Sequence, residues 1–239
     1  MKLYIGTSGW SYSWNPDGLT WYVKHSGFNS IELNMSFYSF PRMKQVERWA
    51  KEGGDLAWVI KVHRSITHYG KLSEKTLAIW DKFKNIFNVL ENKIHFYLFQ
   101  LPPNLRFSSE VWRRIGLFAS KGKIRDKMAI EPRHKSWFTK DVIELFQKEG
   151  LVFVTPDSPM FEGLPEIGVV CINGKVYVRM HGRLTWYNYG YLKEELEEVV
   201  KSIMDARPGS AYVFFNNNHD MLNNGREMKK IFEKFVKKG

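Results

Sequence analysis

Cysteine is nearly absent from this sequence, whose 239 residues include only Cys171. A single thiol excludes an internal disulfide and a zinc site built on cysteines, and we interpret it as a small buried apolar residue. We therefore expect a reduced, cytoplasmic location. No run approaches the ~20 apolar residues that a membrane span needs, so no membrane partner is expected. The apolar run within residues 1–6 is too short for a signal peptide and is better explained as a strand.

Acidic residues are fewer than basic ones. Asp and Glu number 25 against 36 Lys and Arg, which gives a formal net charge of +11. This excess attracts polyanions, so nucleic acid or a small anionic ligand is a candidate partner. The alternative interpretation is that the basic side chains only keep the outer face of a helix hydrated, which would give the same net charge without any anionic partner. Hydrophobic residues make up 44% of the chain and aromatic residues 15%, which excludes a disordered chain.

Short apolar runs alternate with amphipathic segments along the chain. Eight runs predict strands, and their nearly continuous apolar character is typical of parallel strands covered on both faces. The predicted strands span 3–6, 30–33, 57–62, 95–99, 127–130, 152–155, 176–180 and 211–215. Apolar residues three and four apart predict helices over 19–25, 43–51, 77–90, 109–119, 140–148, 192–203 and 228–236. We therefore expect one domain over residues 1–239, a closed (β/α)₈ TIM-like barrel rather than a doubly wound sheet.

The connection between the sixth and seventh predicted strands breaks this alternation. Pro159 and Pro165 oppose a helix there. Asn173-Gly174 separates two β-rich runs, and Asn-Gly in that position is a two-residue hairpin signal. We expect a loop and a short hairpin in place of the sixth helix.

Charged and polar residues fall near the carboxyl ends of the predicted strands, mostly at positions of one parity. Alternate residues of a barrel strand point inward, and barrel active sites are built at the carboxyl ends. The charged residues and histidines of this parity are Glu32, Lys61, His63, Glu131, Arg133, Asp157, Arg179 and His181. Buried charge is costly unless it is paired. Two interpretations stay open: an anion-binding site with acid–base groups, or an ion-pair network that only stabilises the barrel.

Two loops add groups that could hold an anion. Thr7 and Ser8 lie in a glycine-bearing turn, and Asn216 and Asn217 precede the last helix, where barrels commonly bind phosphate. These residues could equally serve only to shape their turns. Histidines and carboxylates together could hold a divalent ion, but the neighbouring cations would repel it. We expect no tightly bound metal, leave a weakly bound divalent ion open, and assign no cofactor.

Several separated motifs occur in a fixed order. They are Gly-Thr-Ser-Gly-Trp-Ser-Tyr from residue 6, Glu-Leu-Asn-Met-Ser-Phe-Tyr from 32, Ile-Thr-His from 66, Gln-Leu-Pro-Pro from 100, Glu-Pro-Arg-His-Lys-Ser-Trp from 131, Tyr-Val-Arg-Met-His-Gly from 177 and Phe-Asn-Asn from 215. In this combination the chain resembles the domain of unknown function 72 family, the YecE-like proteins, over nearly its whole length. The resemblance implies a TIM-like barrel and no established reaction. The fold is also similar to metal-dependent sugar isomerases and endonuclease IV-like barrels, but a shared fold does not by itself indicate a shared function.

The leading functional prediction is a phosphoesterase or nuclease, with the site at the carboxyl ends of the strands. Cations would stabilise phosphate charge, Glu131 or Glu32 would act as base and His181 as acid. The predicted catalytic residues are Glu32, Lys61, Glu131 and His181. The predicted phosphate-binding residues are Thr7, Ser8, Arg133, Asp157, Arg179, Asn216 and Asn217. Two alternatives stay open: a protein that binds nucleic acid or an anion without turnover, and a sugar or sugar-phosphate isomerase. The oligomeric state is not predicted.

Overall fold

Strands and helices alternate in the computed structural model, which describes residues 1–238, the last three by their backbone alone. The strands are β1 (Lys2–Thr7), β2 (Ser30–Leu33), β3 (Ala57–Lys61), β4 (Ile94–Gln100), β5 (Met128–Glu131), β6 (Val152–Asp157), β7 (Cys171–Ile172), β8 (Lys175–Met180) and β9 (Ser210–Phe215). The helices are α1 (Gly18–His25), α2 (Met43–Glu52), α3 (Leu77–Ile86), α4 (Ser109–Lys121), α5 (Lys140–Glu149), α6 (Lys193–Asp205) and α7 (Met221–Lys238).

The strand order identifies the fold class. The strands lie in the order β1-β9-β8-β6-β5-β4-β3-β2, with β7 paired to β8 outside this path. Pairs along the path are parallel from β1–β9 round to β3–β4. A parallel bridge joins Ser8 to Glu32, at the two ends of the order. The predicted TIM-like α/β barrel is therefore confirmed, and the doubly wound sheet was the wrong alternative.

The chain forms two compact units. The first unit is Met1–Glu32 with Val154–Gly239, and the second is Leu33–Phe153. A single domain over residues 1–239 stays a prediction, and its last residue lies outside the described part of the chain.

In the first unit, β8 and β9 run side by side from Lys175↔Ser210 to Met180↔Phe215. Helix α6 buries an apolar stripe, formed by Leu196, Val199, Val200 and Ile203. Its first turn is fixed by the Glu195 carboxylate, which accepts from the Leu192 backbone N–H at 2.7 Å. This bond satisfies one of the donors that a helix start leaves without a partner.

The hairpin in the first unit is confirmed. β7 is antiparallel to β8, and the connecting Asn173 and Gly174 have φ of 49° and 70°. Two positive φ values are what a type I′ turn requires. Among the described residues, no helix lies between β6 and β7. Cys171 is half-buried rather than buried as expected, because β7 has β8 as its one recorded strand partner.

In the second unit, helices α3 and α4 pack large aromatic side chains against β4. The rings of Trp80 and Phe99 lie 5.6 Å apart, and those of Phe99 and Phe118 lie 5.7 Å apart. The predicted helix over 77–90 is too long, because α3 ends at Ile86. The apolar stripe continues through the following 3₁₀ turn, where Leu90 is also buried.

Helix boundaries in the second unit follow from capping residues. The Ser108 hydroxyl accepts from the Val111 N–H at the start of α4, and the Thr139 hydroxyl accepts from Val142 at the start of α5. Helix α5 ends at Glu149 and is followed by Gly150, whose φ of +69° is the left-handed conformation common after a helix. The other predicted helices agree with the structure to within two residues at each end, except that α7 begins at Met221, seven residues before the predicted start at 228.

Candidate functional site

Three neighbouring strands of the second unit end in polar side chains. Lys61 ends β3, Gln100 ends β4 and Glu131 ends β5. Gln100 and Glu131 are register partners, and the Glu131 carbonyl accepts from the Leu101 N–H at 2.9 Å. Because parallel strands bring their carboxyl ends to one edge, alternate residues from separate parts of the sequence come together here.

Arg133 is positioned by the end of β5. Its Nη2 lies 3.0 Å from Glu131 Oε1 and 3.4 Å from Gln100 Oε1. Arg133 is 8% exposed and Glu131 is completely buried. A buried guanidinium that turned away from its carboxylate would leave both charges unpaired, which is costly. Arg133 is therefore held in one orientation by Glu131. The acid at the end of β5 and the cation two residues later therefore form an ion pair with each other.

Lys61 brings a second cation to the second unit's strand ends. Its Nζ lies 4.5 Å from the centre of the Phe37 ring, and the residue is 7% exposed. An ammonium over an aromatic face is stabilised by the ring quadrupole. The Ser36 hydroxyl donates to the Lys61 carbonyl at 2.7 Å, which ties the end of β3 to the turn after β2.

His68 belongs to the same group, although strand parity did not select it. It lies in the π-helical turn Ser65–Tyr69 after β3, with its ring edge-on to Phe37 at 4.9 Å. Burial, which is the largest cause, and the charges of Lys61, Arg133 and Arg64 together lower its pKa to about 4. His68 is therefore neutral at pH 7. Its motif, Ile-Thr-His, was the only signal in the sequence.

His63 supports the turn after β3. Its Nδ1 lies 2.7 Å from the Ser65 hydroxyl and its Nε2 lies 3.3 Å from the Tyr38 carbonyl. Burial is the main cause that lowers its pKa. Both ring nitrogens are therefore used to stabilise the local turns, which explains a histidine at this position without a role in binding or catalysis.

In the first unit, Glu32 is the centre of a buried hydrogen-bond network. Its carboxylate accepts from Arg179 Nε at 2.9 Å and Nη2 at 2.5 Å, from the Tyr177 hydroxyl at 2.6 Å and from the Ser8 hydroxyl at 2.6 Å. All four residues are buried. The structure thus brings together three of the predicted site residues, Glu32, Arg179 and Ser8, with Tyr177. Four donors on one carboxylate favour a structural ion pair, and catalysis by Glu32 stays a prediction.

Asp157, also in the first unit, holds the loop after β8. It accepts from Arg183 Nη2 at 3.1 Å and from the Tyr191 hydroxyl at 2.7 Å. Burial raises the pKa of the Asp157 carboxyl, and Arg183 opposes that effect. Neither partner was predicted from the sequence, because both lie in an irregular segment with no period to indicate their direction. Phosphate binding by Asp157 stays a prediction.

His181 lies at the end of β8 and is completely buried. Its Nδ1 lies 3.2 Å from Asn216 Nδ2, so the structure brings these two predicted residues together. The rings of Trp186 and Tyr187 lie 5.5 Å and 5.6 Å from the imidazole. The roles of His181 as acid and Asn216 as phosphate ligand stay predictions.

Thr7 and Asn217 make contacts within the first unit's loops. The Thr7 hydroxyl donates to the Gly9 carbonyl at 2.7 Å. Asn217 Nδ2 donates to the Tyr189 carbonyl at 2.7 Å and to Asn224 Oδ1 at 2.8 Å. These bonds shape the two turns, which was the other interpretation of both residues.

Two features are absent from the described residues. Within residues 1–238, no group of three or more His, Cys, Asp or Glu side chains is placed to hold a metal ion. In that same part of the chain, no helix is both long and apolar enough to cross a bilayer. The expectations about metals and cofactors stay predictions.

The fold and the charged strand ends define an α/β barrel with polar groups where barrel enzymes carry their sites. A family model described as "Protein of unknown function DUF72" matches residues 4–237. The chain therefore belongs to the DUF72 family, as the motifs indicated.

Known proteins are similar to this chain over nearly its whole length. The UPF0759 protein YunF of Bacillus subtilis (strain 168) is 26% identical over 271 residues, which cover 97% of this chain and 95% of YunF. The crystal structure of a DUF72 family protein from Thermotoga maritima MSB8 has a TM-score of 0.82 at 24% identity, covering 99% of this chain and 100% of that one. D-Psicose 3-epimerase from Clostridium cellulolyticum H10 has a TM-score of 0.57 at 10% identity, over 99% and 97% of the two chains. The structural likenesses show a shared fold.

Proposed function

We propose that the second unit binds a phosphate-bearing ligand at Lys61, Arg133 and His68, and that it hydrolyses a phosphoester there. We call these three residues, two cations and a neutral imidazole, the cationic cluster. The observation that carries the proposal is the pair of nearly buried cations, Lys61 and Arg133, at the carboxyl ends of β3 and β5 around a neutral imidazole. Charges in such a partly dry site act more strongly than on an open surface.

The electrostatics of His68 support an anionic ligand. Lys61, Arg133 and Arg64 all lower the pKa of its imidazole. The potential at His68 is therefore positive, and a bound phosphate would offset it. Binding should raise the pKa of His68 from about 4 toward its ordinary value of 6.5.

The proposed reaction follows from these groups. Water attacks phosphorus while Glu131 takes one of its protons, and the phosphorus–oxygen bond to the leaving group breaks. The leaving oxygen takes its proton from His68, which gains that proton because bound phosphate raises its pKa. Lys61 and Arg133 stabilise the charge on the other phosphoryl oxygens. Glu32 and His181 belong to the other unit and have no part in this scheme.

The test combines binding with turnover. The imidazole of His68 is titrated by NMR with and without inorganic phosphate, and release of nitrophenol from mono- and bis-nitrophenyl phosphate is assayed with and without Mg²⁺, Mn²⁺ or Zn²⁺. The Lys61→Met variant should lose both signals. Lys44→Met is the matched control, because it removes the same charge from an exposed position on α2.

Each alternative gives a different result in this test. Phosphate binding without product favours the non-catalytic binder of anions or nucleic acid. Interconversion of a sugar or sugar phosphate without phosphate release favours the isomerase. A His68 titration that phosphate leaves unchanged overturns the proposal.

A further inference from the structure

An exposed aromatic surface lies in the second unit, next to the residues proposed to bind phosphate. Tyr38 is 63% exposed and Tyr69 is 72% exposed. The Arg64 guanidinium lies 5.8 Å from the ring centre of Tyr38 and 5.8 Å from that of Tyr69. We call these three residues the stacking surface. Large exposed side chains grouped around a cation are typical of a binding surface rather than of a solvated loop.

The position of the stacking surface follows from the turns that carry it. Tyr38 comes directly after the 3₁₀ turn Met35–Phe37 that follows β2. Arg64 and Tyr69 lie at the two ends of the π-helical turn after β3. Each turn therefore begins at the carboxyl end of a strand, which is where the cationic cluster lies.

A single buried ring connects the two groups. Phe37 lies 5.0 Å from Tyr38, 4.9 Å from His68 and 4.5 Å from the Lys61 ammonium. Arg64 is also close enough to His68 to lower its pKa. A ligand with its phosphate at Lys61 would therefore lie close to the stacking surface, because Phe37 contacts both Lys61 and Tyr38.

We infer that the ligand of the cationic cluster is a nucleotide whose base stacks on Tyr38, Arg64 and Tyr69. This inference rests on the proposed function for the phosphate end of the ligand. A nucleotide joins the two features that the surface accommodates, a phosphate and a planar ring. Exposed tyrosines and arginine planes stack on bases of any sequence, and arginine adds a cation–π attraction.

The experiment measures binding of three probes by calorimetry: AMP, ribose 5-phosphate and inorganic phosphate. The wild-type protein should bind AMP about 10-fold or more tightly than ribose 5-phosphate, since each stacked base contributes about that factor. Tyr38→Ala should remove most of this advantage and leave ribose 5-phosphate binding unchanged. Tyr38→Phe is the matched control and should keep the AMP affinity, because the ring stays. Both changes are at an exposed position, so neither should affect folding.

The outcomes separate this inference from the proposed function. Equal affinities for AMP and ribose 5-phosphate, or equal weakening of both by Tyr38→Ala, would overturn the nucleotide and leave the phosphate site standing. AMP binding that depends on Tyr38 but not on Lys61 would support stacking and overturn the phosphate site. Failure of all three probes to bind would overturn both.

Discussion

The Glu32–Arg179 pair allows a quantitative test of buried charge. Both side chains are completely buried, and two nitrogens of Arg179 donate to the carboxylate. Glu32→Gln keeps the shape of the side chain but removes its charge. Arg179 then stays in the interior with a neutral amide that offers one acceptor oxygen in place of two. Tyr177 and Ser8 also lose a charged acceptor for their hydroxyl groups.

Breaking a buried pair in this way should cost about 3–5 kcal/mol of unfolding free energy. For a chain of this length about 1 kcal/mol shifts the melting temperature by roughly 2–4 °C, so we expect a loss of roughly 6–20 °C. A double variant, Glu32→Gln with Arg179→Met, removes both charges, keeps an acceptor oxygen for Tyr177 and Ser8, and should recover most of the loss. Arg179→Met alone is the second single variant. Thermal and urea unfolding measure each protein. A single variant that melts within about 2 °C of wild type, or a double variant whose loss is the sum of both single losses, would refute this reasoning.

Two further predictions concern His68 and Gly6. Burial and the neighbouring cations lower the pKa of His68 to about 4. Between about pH 4 and 6.5 the unfolded chain therefore binds more protons than the folded one, and the unfolding free energy should rise with pH there. His68→Phe should remove this component in urea unfolding at pH 4.5 and 7; parallel pH curves for both proteins would contradict it. Gly6→Ala should destabilise by about 1–3 kcal/mol or more, because its Cβ would lie 2.1 Å from the Ser30 carbonyl oxygen. Gly116→Ala in α4, where the Cβ meets nothing within 4 Å, should instead stabilise slightly in the same melts.

Local signals predicted much of the fold. The hairpin at Asn173-Gly174 follows from two residues that tolerate positive φ, and the strands follow from continuous apolar runs. The end of α3 at Ile86 was missed because a 3₁₀ turn can continue the same apolar stripe. Periodicity reports which face is buried, not which helical hydrogen bonds are made.

The candidate site was predicted where it lies on strands and missed where it lies in turns. Strand parity selected Lys61 and Glu131, since side-chain direction in a strand follows from its period of two. His68 and Arg183 lie beyond the strand ends, where no period applies. Which residues they contact depends on how the turns fold in three dimensions, and this cannot be predicted from spacing in the sequence.

The network around Glu32 also has a consequence for the order of folding. Glu32 and Arg179 stand 147 positions apart, whereas Ser8 and Glu32 are 24 apart. Closing the longer loop costs more chain entropy, so the guanidinium should reach the carboxylate late. During synthesis Glu32 precedes its cation by most of the chain, and until then it can remain hydrated. An interaction formed after the rate-limiting step acts chiefly by slowing unfolding. The buried pair would therefore contribute less to how fast this unit forms than to how long it lasts once formed.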